Sequence, residues 1–453
     1  MKIKKVLVAN RGEIAVRIIR ACHELDIPTV AVYSEGDTDS LHVKMADEAF
    51  CIGPAAPNKS YNNITSVVAT AELSGANAIH PGFGFLAENP KFAQICEENN
   101  IIFIGPSSKN ISLMGNKSEA RKTLISKKIA TTPGSEGTIS DAKEAMIIAK
   151  KIGFPVIVKA SAGGGGKGMR IVEKESELEK MMNIAQQEAK SAFDNDEVYL
   201  EKYIKAPRHI EVQILADKHG NAIHLFERNC SIQRRHQKLI EESPSPALSN
   251  EVRKKLGDTA VKIVKAIGYE NAGTIEFLMD DKDNFYFMEM NTRIQVEHTV
   301  SEEVTGIDLI KEQIRVASGE KLANKQKDIS IHKHAIEFRI NAENWAKGFM
   351  PCPGTITLFQ PPGGIGIRVD THIYQGYSVP PFYDSMLAKL IVSAPTREEA
   401  IARSRRALHE FVIEGVATTI PFHLEVLDNK VFQKGKFSTH FLEEQNLLKP
   451  PTK

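Results

Sequence analysis

Short apolar runs alternate with segments of helical periodicity over the first hundred residues. The pattern predicts helices at 13–25 and 64–73, and the apolar runs predict strands at 6–9, 28–33, 46–52, 78–80 and 101–104. Strands that alternate with helices of this length are typical of βαβ units on a parallel sheet. The turn after the first strand contains one glycine, Gly12, where a dinucleotide-binding turn needs three, so nicotinamide binding is a weak alternative.

The pattern changes after about residue 107 and predicts an α+β middle part that extends to about residue 330. Helices are predicted at 116–128, 141–151 and 176–193, strands at 155–159, 169–172, 197–203, 208–216 and 222–228, and a hairpin at 274–290. The polar stretch 322–330 is a candidate linker to a smaller third unit, whose strands are predicted at 335–342, 354–359 and 386–393. The length of 453 residues also suggests about three domains.

The composition excludes several classes of protein but does not indicate which reaction the chain catalyses. The 58 basic residues nearly balance the 57 acidic ones, which argues against a nucleic-acid-binding protein, and the hydrophobic share of 42% argues against disorder. No apolar run approaches the roughly 18 residues of a membrane span, so we expect no membrane insertion. The five cysteines lie far apart without a Cys-x-x-Cys pair, which predicts a reduced cytoplasmic enzyme with neither disulfides nor a zinc site.

A run of four glycines, 163–166, lies between two predicted strands and is followed by Lys167. Glycines let backbone N–H groups approach a phosphate closely, and the lysine adds positive charge. No Ser or Thr follows Lys167, so the loop is not a P-loop, but a hairpin loop could fold over a nucleotide as a lid. A turn without a ligand is the alternative, and Lys159 at the end of the preceding strand favours phosphate binding.

The predicted hairpin at 274–290 carries the strongest signal for a metal site. Residues two apart in a strand share a face, so we expect four side chains to point the same way, with Glu276 opposite them. These four are Phe285, Phe287, Glu289 and Asn291. Carboxylate and amide oxygens suit Mg²⁺, and the same alternation continues through Arg293, Gln295 and Glu297. We therefore expect a polar row that lines a cleft, with a solvated edge strand as the alternative.

Other polar motifs are ambiguous when taken alone. The stretch 228–238 concentrates side-chain donors, but acidic neighbours cancel its charge and disfavour a nucleic-acid patch. The loop 80–86 follows a strand end, where α/β proteins commonly bind ligands, yet a structural turn is equally compatible. His209 and Arg339 would by default be surface or ion-paired residues.

Together these motifs resemble the biotin carboxylase family, the ATP-grasp subunits of biotin-dependent carboxylases. The resemblance extends from 8–15 to about residue 446 and includes the motifs at 80–89, 162–168, 233–238, 289–298 and 372–385. It implies an α/β and α+β fold class, with an N-terminal Rossmann-like parallel-sheet domain, a central ATP-grasp domain and a C-terminal α+β domain. These domains would span residues 1–114, 115–330 and 331–446. The central ATP-grasp domain would include a mobile glycine-rich lid at about 133–203.

The resemblance also implies roles for individual residues. The ATP-binding positions would be Lys117, Lys159, Gly164, Gly165, Gly166, Glu201, Lys202, Tyr203, Ile204, His209, Gln233, His236, Glu276 and Glu289. The ligands of Mg²⁺ or Mn²⁺ would be Glu276, Glu289 and Asn291. Bicarbonate would bind Lys238, Arg293, Gln295, Val296 and Glu297, and Arg339 would face biotin. Catalysis would depend on Arg293, Glu297, Lys238 and Arg339, with Glu297 as the base that deprotonates bicarbonate.

The activity implied is ATP-dependent carboxylation of biotin through carboxyphosphate, as the first half-reaction of acetyl-CoA carboxylase. The nearest alternative is the corresponding part of pyruvate carboxylase, followed by another ATP-grasp ligase and a non-catalytic nucleotide-binding scaffold. Two departures from the family pattern are Phe83, where many members carry Tyr, and Thr299, where many acetyl-CoA carboxylase subunits carry Pro.

The implied partners follow from a missing motif. Family carriers attach biotin to an Ala-Met-Lys-Met sequence, which this chain lacks. We therefore expect biotin on a separate carrier protein and the acceptor on carboxyltransferase subunits. The chain itself would be a cytoplasmic homodimer that binds neither nucleic acid nor membrane.

Overall fold

The structure, a computed structural model, describes residues 2–127, 129–161 and 168–449. Its first part is built on a five-stranded sheet in which every neighbouring pair is parallel, which confirms the predicted βαβ organisation. In spatial order the strands are Glu48–Cys51, Thr29–Tyr33, Val6–Val8, Ala78–His80 and Ile102–Phe103. The α-helices of this part are Gly12–His23, Leu41–Met45, Ile64–Ser74 and Pro90–Glu98.

A smaller three-stranded sheet follows, with Val156–Ala160 between Met169–Val172 and Val198–Lys202. The helices Ala142–Ile152 and Leu178–Phe193 pack on it, whereas Ser108–Gly115 and Lys117–Ser126 contribute to the core of the largest sheet. The apolar side chains of the three-stranded sheet form a core of their own, in which Val156, Val158 and Leu200 are buried with Leu178. Asp141 caps the helix Ala142–Ile152 by accepting from the amides of Lys143 and Glu144.

The largest sheet has eight antiparallel strands and extends across the predicted linker at 322–330. In spatial order they are Phe285–Asn291, Asn271–Met279, Arg208–Ala216, Ala222–Arg234, Gln237–Ser243, His334–Asn341, Met386–Ala394 and Ile367–Thr371. The pairing of Gln237–Ser243 with His334–Asn341 joins the strands of the middle part to those of the C-terminal part. The sheet therefore gives both parts one continuous frame for a site.

Helices cover this sheet, and short strand pairs complete the C-terminal part. The helices are Asn250–Ala266, His298–Thr305, Leu309–Ala317, Arg397–Glu410, Ile420–Asp428, Lys430–Gln433 and Phe441–Glu444. The short pairs are Glu343–Asn344 with Met350–Pro351, Gly354–Thr355 with Ser378–Val379, and Leu358–Gln360 with Val412–Glu414. Within the three described ranges, no helix combines the length and apolar character needed to cross a membrane.

The predicted strand at 222–228 is too short. The structure continues this strand to Arg234, turns at Arg235 and His236, and returns as Gln237–Ser243. Both turn residues have positive φ, which suits the two-residue turn of a hairpin. The donor-rich stretch was not predicted as a hairpin because its buried side chains are polar and break the apolar pattern of a strand.

A bulge overturns the predicted face of the hairpin. Glu276 pairs with Glu289, but the next pair is Phe277 with Phe287, so Met288 is an extra residue without a direct partner. Directly paired residues share a face, so Glu289 lies with Glu276 while Phe287 lies on the opposite, apolar face. The prediction that Phe285 and Phe287 point with Glu289 and Asn291 is therefore wrong.

The polar alternation beyond the hairpin also differs from the prediction of a continuing strand. The strand ends at Asn291, and residues 292–297 form an irregular loop before the helix His298–Thr305. The side chain of Ile294 is nevertheless buried, while Gln295 and Glu297 enter the polar site described below.

Candidate active site

The paired strands bring the predicted metal ligands together on one hairpin face. Glu276 lies opposite Glu289 and Thr274 opposite Asn291, so the register places all three predicted oxygen-bearing side chains on the same side. The Asn291 amide nitrogen donates to Glu276 Oε1 over 2.8 Å. Lys117 Nζ lies 2.7 Å from Glu289 Oε2. Cationic and amide donors therefore already surround the two carboxylates.

The buried Glu276 carboxylate is held in its ionised form. Burial alone would raise its pKa, but the charges of Lys238 and His209 lower it well below the ordinary value. His209 Nε2 lies 3.0 Å from Glu276 Oε2. An ionised carboxylate beside a second carboxylate and an amide oxygen is a donor set that fits Mg²⁺ or Mn²⁺.

Lys238 is the centre of the acidic cluster. Its Nζ lies 2.6 Å from Glu211, 3.0 Å from Glu276 and 2.6 Å from Glu297. Burial lowers the pKa of an ammonium group, but these three carboxylates raise the pKa of Lys238 well above its ordinary value. Lys238 is therefore a fixed positive charge that connects the hairpin to the loop carrying Glu297.

Glu297 is buried between two cations. Its Oε1 accepts from Lys238, and its Oε2 accepts from Arg339 Nη2 over 2.9 Å. Although burial would raise its pKa, Lys238 and Arg339 lower the pKa of Glu297 well below its ordinary value. An ionised carboxylate of this kind can accept a proton from a substrate within hydrogen-bonding reach.

Arg339 is held by carboxylates on both sides. Its Nε donates to Glu241 Oε1 over 2.7 Å, and its Nη2 donates to Glu297. Glu337 lies two residues earlier on the same strand and directly opposite Glu241, and burial raises the pKa of Glu337 to about 7. The guanidinium group therefore lies at the edge of a buried acidic cluster.

The loop 292–297 supplies two further predicted site residues. Arg293 Nε donates to Glu88 Oε2 over 2.8 Å, and Arg293 Nη2 donates to Asn291 Oδ1 over 3.0 Å. Gln295 Nε2 donates to Glu276 Oε1 over 3.0 Å. The loop thus connects the hairpin that carries the predicted metal ligands with Glu88, which belongs to the first part of the chain.

Arg228 organises the floor of this site but was not among the predicted site residues. It is wholly buried and donates to side-chain oxygens on four segments of chain. The acceptors are Glu211 at 2.5 Å, Gln213 at 2.7 Å, Gln295 at 2.8 Å, Ser301 at 3.0 Å and Thr274 at 3.1 Å. Glu211 was missed as well. The only signal in the sequence was a polar alternation through His209, Glu211 and Gln213, which needs the strand register to be interpreted.

The predicted nucleotide positions lie on the smaller sheet and its neighbours. Lys159 Nζ lies 2.6 Å from Glu201 Oε2, and Arg121 Nη1 lies 3.0 Å from Glu201 Oε1. Lys202 donates to the carbonyl oxygens of Gly153 and Phe154, and the strand ends there, before Tyr203 and Ile204. Lys159 and Glu201 are thus brought together, whereas the Lys202 side chain is engaged by the backbone.

The remaining predicted positions are distributed around the donor-rich hairpin. Gln233 is partly buried and pairs across the strands with Lys238, while His236 is exposed in the turn. Gly164, Gly165 and Gly166 lie outside the described residues.

Three family models match almost the whole chain. Residues 2–111 match the biotin carboxylase N-terminal domain and residues 337–444 match the biotin carboxylase C-terminal domain. Residues 116–325 match the ATP-binding domain of the carbamoyl-phosphate synthase L chain. Biotin carboxylase 1 of Bacillus subtilis is 60% identical over 447 residues, which cover 98% of this chain and 99% of that protein. The chain belongs to the biotin carboxylase family.

Similar proteins of the biotin carboxylase family are named as parts of different carboxylases. A pyruvate carboxylase subunit of Methanothermobacter thermautotrophicus is 56% identical over 440 residues, which cover 97% of this chain and 89% of that protein. The crystal structure of a biotin carboxylase complex from Campylobacter jejuni superimposes with a TM-score of 0.95 at 50% identity, covering 98% of this chain and 99% of that one. The biotin carboxylase domain of 2-oxoglutarate carboxylase from Hydrogenobacter thermophilus, solved with MgADP and bicarbonate, gives a TM-score of 0.95 at 52% identity with full coverage of both chains.

Membership of the biotin carboxylase family confirms the predicted fold class and makes the chain an ATP-grasp ligase. At one of the two departures from the family pattern, the Thr299 hydroxyl donates to Glu337, next to the cluster that holds Arg339. At the other, Phe83 lies in the loop after the strand Ala78–His80, and its carbonyl oxygen accepts from Asn10 over 2.7 Å.

Proposed function

We propose that the chain carboxylates biotin with bicarbonate and ATP through carboxyphosphate. The observation that carries this proposal is the ionised Glu297 between Lys238 and Arg339, beside the hairpin that pairs Glu276 with Glu289. A base, a cationic anion site and a metal-binding face adjoin each other, as phosphoryl transfer to bicarbonate requires. The names of the relatives support the same activity.

The nucleotide is proposed to lie between the smaller sheet and the hairpin. Lys117 and Lys159 would bind its phosphates in place of their carboxylate partners Glu289 and Glu201. Further ATP contacts are proposed for the glycines at 164–166, Glu201 to Ile204, His209, Gln233 and His236. Glu276, Glu289 and Asn291 would hold Mg²⁺ or Mn²⁺, which neutralises phosphate charge when bound.

Bicarbonate would be activated in the loop 292–297. Lys238, Arg293, Gln295 and the backbone of Val296 would hold its oxygens, since cationic donors bind such an anion in a fixed geometry. Glu297 would accept the bicarbonate hydroxyl proton. The freed oxygen then attacks the γ-phosphorus, a new P–O bond forms, and the bond to the leaving ADP oxygen breaks.

The product of this step is carboxyphosphate, which would break down to CO₂ and phosphate beside biotin. The phosphate would remove the ureido proton, and the ureido nitrogen would then attack CO₂ to give carboxybiotin. Arg339 would stabilise the ureido oxygen as negative charge develops there. Its pairing with Glu241 and Glu297 keeps the guanidinium at this edge of the site.

For the whole assembly, we propose domains at 1–114, 115–330 and 331–446, with a glycine-rich lid at about 133–203. The proposed setting is a cytoplasmic homodimer of a multi-subunit acetyl-CoA carboxylase, with biotin on a carrier protein and a separate carboxyltransferase. Pyruvate carboxylase is the second candidate parent, favoured by the similarity to the pyruvate carboxylase subunit of Methanothermobacter thermautotrophicus. Identifying the carrier and transferase co-purified with the tagged chain distinguishes the two.

The proposed activity is tested by phosphate release from ATP with bicarbonate and free biotin. Release that requires both supports the proposal, and release independent of either contradicts it.

Arg293→Ala should lower this coupled release at least about 100-fold and leave nucleotide binding intact, because Arg293 would hold the bicarbonate anion. Arg405→Ala, at a partly exposed ion pair with Asp428, is the matched control and should retain turnover. Near-normal turnover of Arg293→Ala would remove its assigned role.

A further inference from the structure

Lys389 is a buried lysine that none of the proposed catalytic steps uses. It lies on the strand Met386–Ala394 in the C-terminal part, and its side chain is wholly buried. Its cross-strand neighbours are Arg339 on one side and Asp370 on the other. A buried ammonium group is costly unless hydrogen-bonded and charge-paired, so the partners of Lys389 need an explanation.

The partners of Lys389 come from two other parts of the chain. Its Nζ donates to the backbone carbonyl oxygen of Val296 over 2.8 Å and lies 3.2 Å from Glu13 Oε1. Glu13 belongs to the first turn of the helix Gly12–His23, and Val296 to the loop that carries Glu297. One ammonium group therefore connects the N-terminal helix, the C-terminal part and the loop 292–297, which is called the bicarbonate loop below.

The charges facing Lys389 keep it protonated. Burial lowers the pKa of Lys389, but the charges of Glu13, Glu337 and Asp370 raise it by more than burial lowers it. The pKa therefore lies above the ordinary value of a lysine. Asp370 itself is bound by Arg368 over 2.7 Å and is not a direct partner of Lys389. Lys389 is thus a permanent donor to the Val296 carbonyl.

The bicarbonate loop needs such a donor because it has no ladder or helix hydrogen bonds of its own. Residues 292–297 belong to neither a strand nor a helix, and buried carbonyl groups must find partners elsewhere. The Gln295 carbonyl accepts from the His298 ring Nδ1 over 2.8 Å, and the next carbonyl, that of Val296, accepts from Lys389. The second bond fixes the peptide plane between Val296 and Glu297, from which the base projects.

We propose that Lys389 is a positioning residue that orients the Val296–Glu297 peptide, and through it the Glu297 carboxylate and the bicarbonate-binding backbone. This rests on the proposed function, in which Glu297 is the base. Lys389 itself touches neither substrate nor metal in this scheme. The competing explanation is that Lys389 only neutralises the buried Glu13 and stabilises the fold.

Three variants separate the two explanations. Lys389→Met removes the donor and the charge, Glu13→Gln removes only the opposite charge, and the double variant removes both charges at nearly constant volume. If Lys389 positions the loop, Lys389→Met and the double variant lose about 100-fold in kcat for bicarbonate- and biotin-dependent phosphate release, since a displacement of about 1 Å has such an effect. The dissociation constant for ATP and the KM for ATP stay near wild-type values. Glu13→Gln keeps kcat within about threefold.

If Lys389 only stabilises, the kinetic pattern is different. The double variant, which leaves no unpaired charge, then recovers wild-type kcat, or Glu13→Gln loses as much kcat as Lys389→Met. Either result overturns the proposal. Lys254→Met, at an exposed lysine paired with Asp258, is the control for a lysine-to-methionine change and should be neutral. An inactive wild-type protein would instead contradict the proposed function itself, so the two failures are distinguishable.

Discussion

Arg228 and Lys238 show how strongly the site depends on buried charge. Each is surrounded by acidic or amide oxygens from different strands, and Glu211 binds both of them. The sequence allowed Lys238 and Glu297 to be predicted because they lie in recognisable motifs. Arg228 and Glu211 could not be assigned in the same way, because their partners are brought together only by the strand register.

Arg228→Met is expected to destabilise the protein strongly. The substitution leaves Glu211, Gln213 and Gln295 buried without their shared donor, and breaking such a buried network costs about 3–5 kcal/mol. The free energy of unfolding from urea titration measures the loss. Arg405→Met, at a partly exposed pair, should cost less than about 1 kcal/mol. Equal effects of the two substitutions would contradict the role given to Arg228.

Asp37 is expected to contribute to the acid sensitivity of the first part of the chain. Burial would raise its pKa, but the hydrogen bonds and charge of Arg11 and a hydrogen bond from Tyr61 lower it to about 2. Because the folded pKa lies below the unfolded one, the stabilisation is complete above about pH 4 and is lost as the pH falls towards about 2.

This linkage predicts a loss of about 1 kcal/mol of stability between about pH 6 and about pH 3, where Asp37 becomes protonated in the unfolded chain but stays ionised in the folded one. Asp37→Asn should reduce the pH dependence of the free energy of unfolding by that amount, while Asp258→Asn, at an exposed position, should leave it unchanged. An unaltered pH dependence in Asp37→Asn would show that its low pKa does not matter for folding.

The hairpin Asn271–Met279 and Phe285–Asn291 shows what a strand pattern can and cannot predict. The two strands, and a position for Glu276 opposite the second strand, follow from the sequence. The bulge at Met288 does not, because Phe285, Phe287, Glu289 and Asn291 mimic an uninterrupted alternation. Because Met288 is left unpaired, Phe285 and Phe287 face the core while Glu289 and Asn291 face the site.

Deletion of Met288 should leave the metal-binding face of the hairpin intact. The deletion gives a regular ladder in which Glu276 still pairs with Glu289 and Phe277 with Phe287, so carboxylates and aromatic side chains keep their faces. Titration with Mn²⁺ followed by electron paramagnetic resonance should give an affinity within about threefold of wild type. Glu289→Gln removes one carboxylate and should weaken Mn²⁺ binding clearly. Loss of Mn²⁺ binding in the deletion variant would contradict the pairing of Glu276 with Glu289.

The eight-stranded sheet explains how distant parts of the chain meet at one site. It carries Glu211, Lys238, Glu276, Glu289 and Arg339 on neighbouring strands. From the first part of the chain, Glu88 binds Arg293 of the loop 292–297, and Glu13 pairs with Lys389, which donates to the same loop. The predicted linker at 322–330 was compatible with a separate third unit, since its composition is polar. Sequence periodicity could not show that the sheet continues past it, because antiparallel pairing between remote strands leaves no local pattern.

Phosphoryl transfer from ATP to bicarbonate beside Glu297 is the central step of the proposed reaction. Bicarbonate labelled with ¹⁸O tests this step directly, because attack of a bicarbonate oxygen on the γ-phosphorus carries that oxygen into the released phosphate. Mass spectrometry of the phosphate formed with ATP and biotin should find one ¹⁸O atom per phosphate, and Glu297→Gln should abolish the labelled product. Phosphate without ¹⁸O would mean that water attacks ATP instead, and would contradict the proposed reaction.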